Sequence, residues 1–412
     1  MRIAILGPFT AQLLTKQFDF PADARMPVGY PGAPLLTVLA RALVERGHEV
    51  ATITTDYIAP SGQNAPFQHF RSIDGRLDAY FCPQRARSFR PQASQPGRAL
   101  DFFAHERECL VAALKDYAPD IAHAHWTYEF VWAALDSGYP TLATAHDSPA
   151  KVLRFMPNLY RAFRYAMARR VIPRCEHLTA VSPDLVADLS KFTRTPIQLL
   201  ANPIDDEVMR SPGSTPQSFE SNTLMMVLNG WNRLKNGATA LRAFHKARIA
   251  DPRLKLMCFG ASWQAEGPAH QWARRNGVAG GVQFRGPTPH DTILAHMQSC
   301  AALLHPSRWE ACCMAIAESM SLGLPVIAGR HTDGVPWQLD DGRAGMLVDV
   351  TDVDDMARGI AAVTGDAPLW RQLRERARER ARAMFSIDHV VDSYLAMYRQ
   401  AMAAHSPEAA TA

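Results

Sequence analysis

The chain lacks any apolar run close to the ~18 residues that span a bilayer, because Asp136 interrupts its most apolar stretch, Phe130 to Thr144. A helical membrane span is thereby excluded. Ile3 to Leu6 is too short for the apolar region of a signal peptide and reads as a buried strand. The seven cysteines, at 82, 109, 175, 258, 300, 312 and 313, form no CxxC pair and no zinc-ligand spacing. Their odd number argues against a disulfide scaffold and fits a reduced, cytoplasmic setting. Excess charge is also scarce: 44 Lys and Arg stand against 40 Asp and Glu, a formal +4 that is too small for a nucleic-acid-binding protein. No strand-like segment is followed by GxGxxG with an acidic residue some twenty positions on, which ranks a dinucleotide-dependent dehydrogenase lowest among the enzyme readings. Fixed-period repeats and low-complexity tracts are absent as well.

What is present is a soluble composition, 47% hydrophobic and 20% charged over 412 residues, enough for two to three domains by the ~150-residue prior. Arg2 to Leu6 reads as a strand, Pro34 to Arg46 as a helix with an apolar stripe and Gly47 as its cap, and His48 to Thr55 as a second strand. Apolar segments at Asp120 to Ala124, Tyr139 to Ala145 and His177 to Ser182 continue this alternation. After a Ser/Pro/Thr-rich stretch over 208–223, a second series has strands near 224–228, 254–259, 282–285, 301–304, 325–328 and 345–348. Strands alternating with helices predict parallel sheets covered on both faces, hence an α/β fold of two doubly wound, Rossmann-like domains facing across a cleft. The expected division is 1–205 and 206–387, with an amphipathic helix over 388–405 packing back on the first domain.

The most informative segment runs from His305-Pro-Ser-Arg-Trp-Glu310 through Ala-Cys-Cys-Met-Ala-Ile-Ala to Glu318, then Ser-Met-Ser-Leu-Gly323-Leu-Pro325. Two glutamates are separated by seven residues, the first in a loop after an apolar strand, the second in a helix that starts near Cys313. Backbone amides at that helix start, around Cys313 and Met314, suit phosphate. The two carboxylates lie up to ~12 Å apart along a helix axis, which suits a ligand with hydroxyls on both sides of a pyrophosphate. Glu318 sits in an otherwise apolar stretch, where an unpaired carboxylate would be costly.

This pattern resembles the donor-site signature of GT-B glycosyltransferases of the family 4 type, which retain anomeric configuration. Gly29-Tyr-Pro-Gly32, His123-Ala-His125-Trp126, Thr144-Ala-His146-Asp147, Asn202-Pro-Ile-Asp205, Val282-Gln-Phe-Arg-Gly286 and Asp333-Gly-Val-Pro336 follow in the family's order. The resemblance implies a UDP- or GDP-sugar donor in the second domain, with Glu310 on the sugar hydroxyls and Glu318 on the ribose. Gly32, Asn232, Arg233, Lys235, Cys313 and Met314 complete the implied donor set. His146 is placed beside the donor sugar, with His125, Trp126 and Asp147 on the acceptor side. The acceptor would be a glycan, a lipid-linked sugar or a small molecule, in bacterial surface polysaccharide or glycoconjugate synthesis. No cofactor and no metal are implied: the nucleotide sugar is a co-substrate, and Asp352-Val-Asp354 reads as a helix cap rather than a metal-binding DxD.

Lys235 and Arg233, in Gly230-Trp-Asn-Arg-Leu-Lys235, are cations suited to a departing diphosphate. The family usually has an arginine directly after this glycine, where Trp231 stands, and glycines where Ala311, Cys312 and Cys313 stand. Trp337 replaces a glutamate common after Gly-x-Pro. These departures keep open a non-catalytic sugar-nucleotide-binding protein, and the same overall fold keeps open a sugar-nucleotide epimerase. The 22 to 18 excess of basic over acidic residues in 1–200 gathers in Lys151 to Arg174, with seven Lys/Arg and no acid. Interleaved with aromatics, this segment suits peripheral contact with the inner membrane face or a polyanionic acceptor.

Overall fold

A computed structural model describes the chain except for residues 11–16, 19–26, 28–33, 57–65, 93–94, 211–218, 220 and 406–412. It divides into two compact units, Met1–Pro203 with Ile387–Ala412, and Ile204–Ser386.

The first unit holds β1 (Arg2–Leu6), β2 (Glu49–Asp56), β3 (Gln68–Arg71), β4 (Leu77–Pro83), β5 (Ile121–His125), β6 (Thr141–Ala145), β7 (Leu178–Ala180) and β8 (Ile197–Leu199) in one sheet of order β3-β4-β2-β1-β5-β6-β7-β8. Every pairing is parallel except β3 with β4. Ile3, Ala4, Ile5 and Leu6 are all buried, as a strand covered on both faces requires. The helix Pro34–Glu45 buries Leu35, Leu36, Leu39 and Leu43, and Gly47 at φ +83° closes it with its N–H on Val44 O (2.9 Å).

The β3-β4 hairpin and β8 depart from the sequence expectation. Both β3 and β8 are short edge strands whose residues are half-buried or exposed, so little apolar pattern marks them. The Asp74-Gly75 turn, with Gly75 at φ +71°, is the local signal that could have located the hairpin.

The second unit holds β9 (Thr223–Val227), β10 (Lys255–Phe259), β11 (Val282–Gly286), β12 (Ala302–His305), β13 (Val326–Gly329) and β14 (Met346–Val348), all parallel in the order β11-β10-β9-β12-β13-β14. Its first strand lies in the middle, its second and third on one side, and its fourth to sixth on the other, the order of a doubly wound fold. Strand order therefore reverses between β9 and β12. Leu224, Met226, Leu256, Cys258 and Leu304 form a core with Leu241 and Phe244 of the helix Gly237–Ala250 and Ile360 of Val353–Gly365. Asp352 caps that last helix by accepting from the N–H groups of Asp354 and Asp355 (2.8 and 3.3 Å).

Beyond Ser386 the helix Ile387–His405 belongs to the first unit. Its Tyr398 hydroxyl meets His123 Nδ1 (2.7 Å), while Arg46 pairs with Asp388 (2.6 Å) and Asp392. In the basic segment, Lys151 pairs with Asp188 (2.9 Å), Arg174 with Asp136 (2.6 Å) and Arg164 with Glu129, and Arg170 lies over Phe102. Arg161 lies over Tyr160, so much of the segment's charge is engaged within the unit.

Gly237 opens the helix after the β9 loop in a space where a Cβ would lie 2.6 Å from Trp263 and 2.8 Å from Trp231. Gly237→Ala should therefore destabilise the second unit by about 1–3 kcal/mol. Thermal unfolding by calorimetry checks this, and an unchanged Tm would show that the tryptophans yield without cost.

Candidate active site

Ligands of open α/β sheets bind outside the carboxyl ends of the strands, where strand order reverses. In the second unit that place is flanked by the loops after β9 and β12. Gly230 turns the first loop at φ +98°, its N–H on Ala261 O (2.9 Å). Trp231 then packs on Trp263 and Trp272 with ring centroids 5.3 and 5.4 Å apart, so the position where the family usually has an arginine serves the core here. Asn236 holds φ +54°, and its amide donates to Pro306 O (3.1 Å) and Val350 O (2.6 Å). Arg308 N–H donates to Leu234 O (2.9 Å). These bonds tie the two loops together and direct Lys235 across the gap.

Lys235 Nζ lies 2.7 Å from Glu310 Oε1, and His305 Nε2 lies 3.2 Å from the same oxygen. Cys313 Sγ is 3.5 Å from His305 Nε2. The Glu310 backbone is held by Gly334 N–H (3.1 Å), and Trp309 Nε1 donates to Asp333 Oδ2 (2.7 Å). Fully buried Gln338 accepts from Cys313 N–H (2.8 Å) and donates to Cys313 O (3.2 Å). That Cys313 amide is consequently committed, and the expectation that it meets phosphate is corrected; an anion would use the amides that follow.

Burial alone would raise the Glu310 carboxyl and lower its two cationic neighbours, but their attraction prevails. Glu310 is held far below the usual carboxylate range by Lys235 and His305. Lys235 is raised by Glu310, and His305 is raised to about 9 by Cys313 and Glu310. A charged pair is therefore present at neutral pH, with a carboxylate for hydroxyls and an ammonium for phosphate.

Glu318, buried in the helix Met314–Leu322, accepts from His290 Nε2 at 2.8 Å. The hydrogen bond to Glu318 is also the main reason that His290 is pushed up. His290 and His305 were not among the expected site residues. For His305, its place at the end of an apolar strand immediately before Pro-Ser was the available signal; for His290 only the tertiary structure provides one. Asn232 and Arg233 are exposed, with Asn232 Oδ1 accepting from Lys235 N–H (3.0 Å), and Met314 is half-buried. Gly32 lies outside the described residues.

In the first unit, β5 and β6 deliver three adjacent histidines. His125 Nδ1 is 2.9 Å from His146 Nε2, and His123 lies between Tyr398 OH and Thr144 Oγ1, both at 2.7 Å. Trp126, at φ +63°, lays its ring 4.3 Å from that of His146, a left-handed conformation unusual for an aromatic residue. Burial pushes His123 and His146 down to about 3 and lowers His125 too, so all three are neutral at pH 7. Asp147 accepts from the Tyr128 hydroxyl (2.8 Å), and burial raises its pKa.

With this geometry in view, two family matches divide the chain. The family described as Glycosyltransferase Family 4 matches residues 35–208, and that described as Glycosyl transferases group 1 matches 216–384. The chain belongs to the family 4-type GT-B glycosyltransferases. Among relatives of this glycosyltransferase, N-acetyl-alpha-D-glucosaminyl L-malate synthase of Bacillus anthracis is 24% identical over 88% of this chain and 92% of its own length. Sucrose-phosphate synthase of Thermosynechococcus elongatus superposes with a TM-score of 0.71 at 18% identity, covering 98% of this chain and 99% of its own. Anabaena Alr3699/HepE, solved in complex with UDP and glucose, superposes with a TM-score of 0.68 at 15% identity, covering 97% of this chain and all of its own. The GT-B fold is thus shared over nearly the whole chain.

The neutral histidines make stability depend on pH. Their folded pKa values lie below the unfolded value near 6.5, so their contribution is complete above about pH 6.5 and is lost as pH falls toward 3, at up to ~1.4 kcal/mol per pH unit for each imidazole. Urea midpoints of the glycosyltransferase should fall between about pH 7 and pH 5, and His123→Gln should flatten that slope. A slope unchanged by the variant would count against a buried neutral His123.

Proposed function

We propose that this glycosyltransferase moves a sugar, with retention of configuration and without a metal ion, from a UDP- or GDP-sugar on the second unit to a hydroxyl of an acceptor on the first. The observation that carries the reading is the Lys235–Glu310 pair at the strand-order reversal, a cation and an acceptor already charged where a sugar diphosphate would lie. The relative solved with UDP and glucose supports the donor class.

In this reading Glu310 accepts from the sugar hydroxyls, Glu318 exchanges His290 for the ribose hydroxyls, and Lys235 turns to the diphosphate. The bond from the anomeric carbon to the phosphate oxygen breaks, and Lys235 offsets the charge left on that oxygen. The acceptor hydroxyl attacks the same face and passes its proton to the leaving phosphate. Neutral His146 orients the sugar, and Asp147, His125 and Trp126 shape the acceptor side. The acceptor is a glycan, a lipid-linked sugar or a small polyhydroxy molecule.

Lys235→Ala should lower kcat about 10²–10³-fold, the usual cost of removing one group that meets developing charge. Glu318→Ala should mainly raise the donor KM, by about tenfold, equivalent to ~1.4 kcal/mol. Steady-state kinetics with the donor chosen by a thermal-shift screen of UDP, GDP, ADP and dTDP sugars checks both, and unchanged turnover in both variants would refute the assignment. Nucleoside diphosphate should be released in step with glycosylated acceptor, and release of equal speed without acceptor would contradict transfer.

A further inference from the structure

His305, Glu310 and Cys313 offer a nitrogen, an oxygen and a sulfur, all within 4.8 Å of one another. We propose that these three side chains form a binding site for a borderline-soft divalent cation, zinc in the first place, whose occupancy displaces Lys235 from Glu310. Zinc bound tetrahedrally at ~2.0–2.1 Å from nitrogen, ~2.0–2.2 Å from oxygen and ~2.3 Å from sulfur requires edges of about 3.4 Å between N and O and about 3.6 Å between N and S. The corresponding separations are 3.2 Å for His305 Nε2 to Glu310 Oε1 and 3.5 Å for His305 Nε2 to Cys313 Sγ. Two edges of the site therefore already match, the Glu310 oxygen and Cys313 sulfur lie within 4.8 Å of each other, and the ion would enter by drawing those two ligands in and releasing the protons of His305 and Cys313.

The supports of the ligands are equally specific. His305 ends a central strand, Gly334 N–H holds the Glu310 carbonyl, and Gln338 grips both the N–H and the carbonyl of Cys313. Such outer contacts orient ligands before the ion arrives. The mixed N, O and S set favours zinc over magnesium, which demands six hard oxygen ligands. Lys235 Nζ shares the Glu310 oxygen that the ion would take, so ammonium and metal exclude each other there. Zinc would therefore switch the site off rather than assist transfer.

The test uses the full-length protein and the metals alone, with no donor, so its outcome is independent of the transfer reaction. Calorimetric titration should show one saturable zinc site per chain and no heat with magnesium. Cobalt(II) at the same site should give a thiolate-to-cobalt charge-transfer band. Cys313→Ser should abolish the band and weaken zinc binding by at least the about 10–100-fold that loss of an outer contact to a metal ligand costs. Glu310→Gln should weaken zinc while retaining the band, and Cys312→Ser, the adjacent thiol, should leave both unchanged. Each variant is first shown to unfold cooperatively. Absence of a stoichiometric zinc site, or a band that survives Cys313→Ser, would overturn the proposal.

Discussion

The Lys235–Glu310 ion pair is the interaction around which the second unit's candidate site is built. Taking two charges out of water is costly, and the pair persists because its geometry is close, His305 adds a second donor, and the backbones of both loops are tied by Asn236, Arg308 and Gly334. A buried pair of this kind adds little to stability compared with an apolar core. It keeps a cation and a carboxylate charged at the strand-order reversal, and in the proposed reaction a ligand with phosphate and hydroxyls would replace each partner of the pair with one of its own groups.

The first unit solves the opposite problem. Its histidines cluster at the carboxyl ends of β5 and β6, and burial keeps them neutral. Hydroxyls of Tyr398 and Thr144 satisfy His123, and the Trp126 ring covers His146. One unit therefore presents fixed charge and the other uncharged hydrogen-bonding groups, a division that fits a donor carrying diphosphate and an acceptor carrying hydroxyls.

Much of the fold was legible because parallel strands buried on both faces must be apolar runs, and such runs mark β1, β5, β6, β9, β10, β12 and β13. The β3 and β8 edges escaped because half-exposed strands need no such pattern. At the site, Glu310, Glu318 and Lys235 were recognisable because charged residues stand out after apolar strands and within an apolar helix. The roles of Cys313 and Trp231 were not. The Cys313 amide is taken by Gln338, twenty-five positions later in the chain, and Trp231 is drawn into an aromatic cluster with Trp263 and Trp272.

The amino-acid sequence by itself determined the α/β class, the two-domain rhythm and the identity of the charged residues, since periodicity and residue chemistry are local properties. Only the tertiary structure decided which charges meet. The reversal of strand order between β9 and β12 brings Lys235 to Glu310 across seventy-five positions, and the packing of β11 against β10 places His290 on Glu318. Such pairings depend on where parallel strands lie in a sheet, and strand order is set by the packing of the whole core rather than by any short stretch of chain.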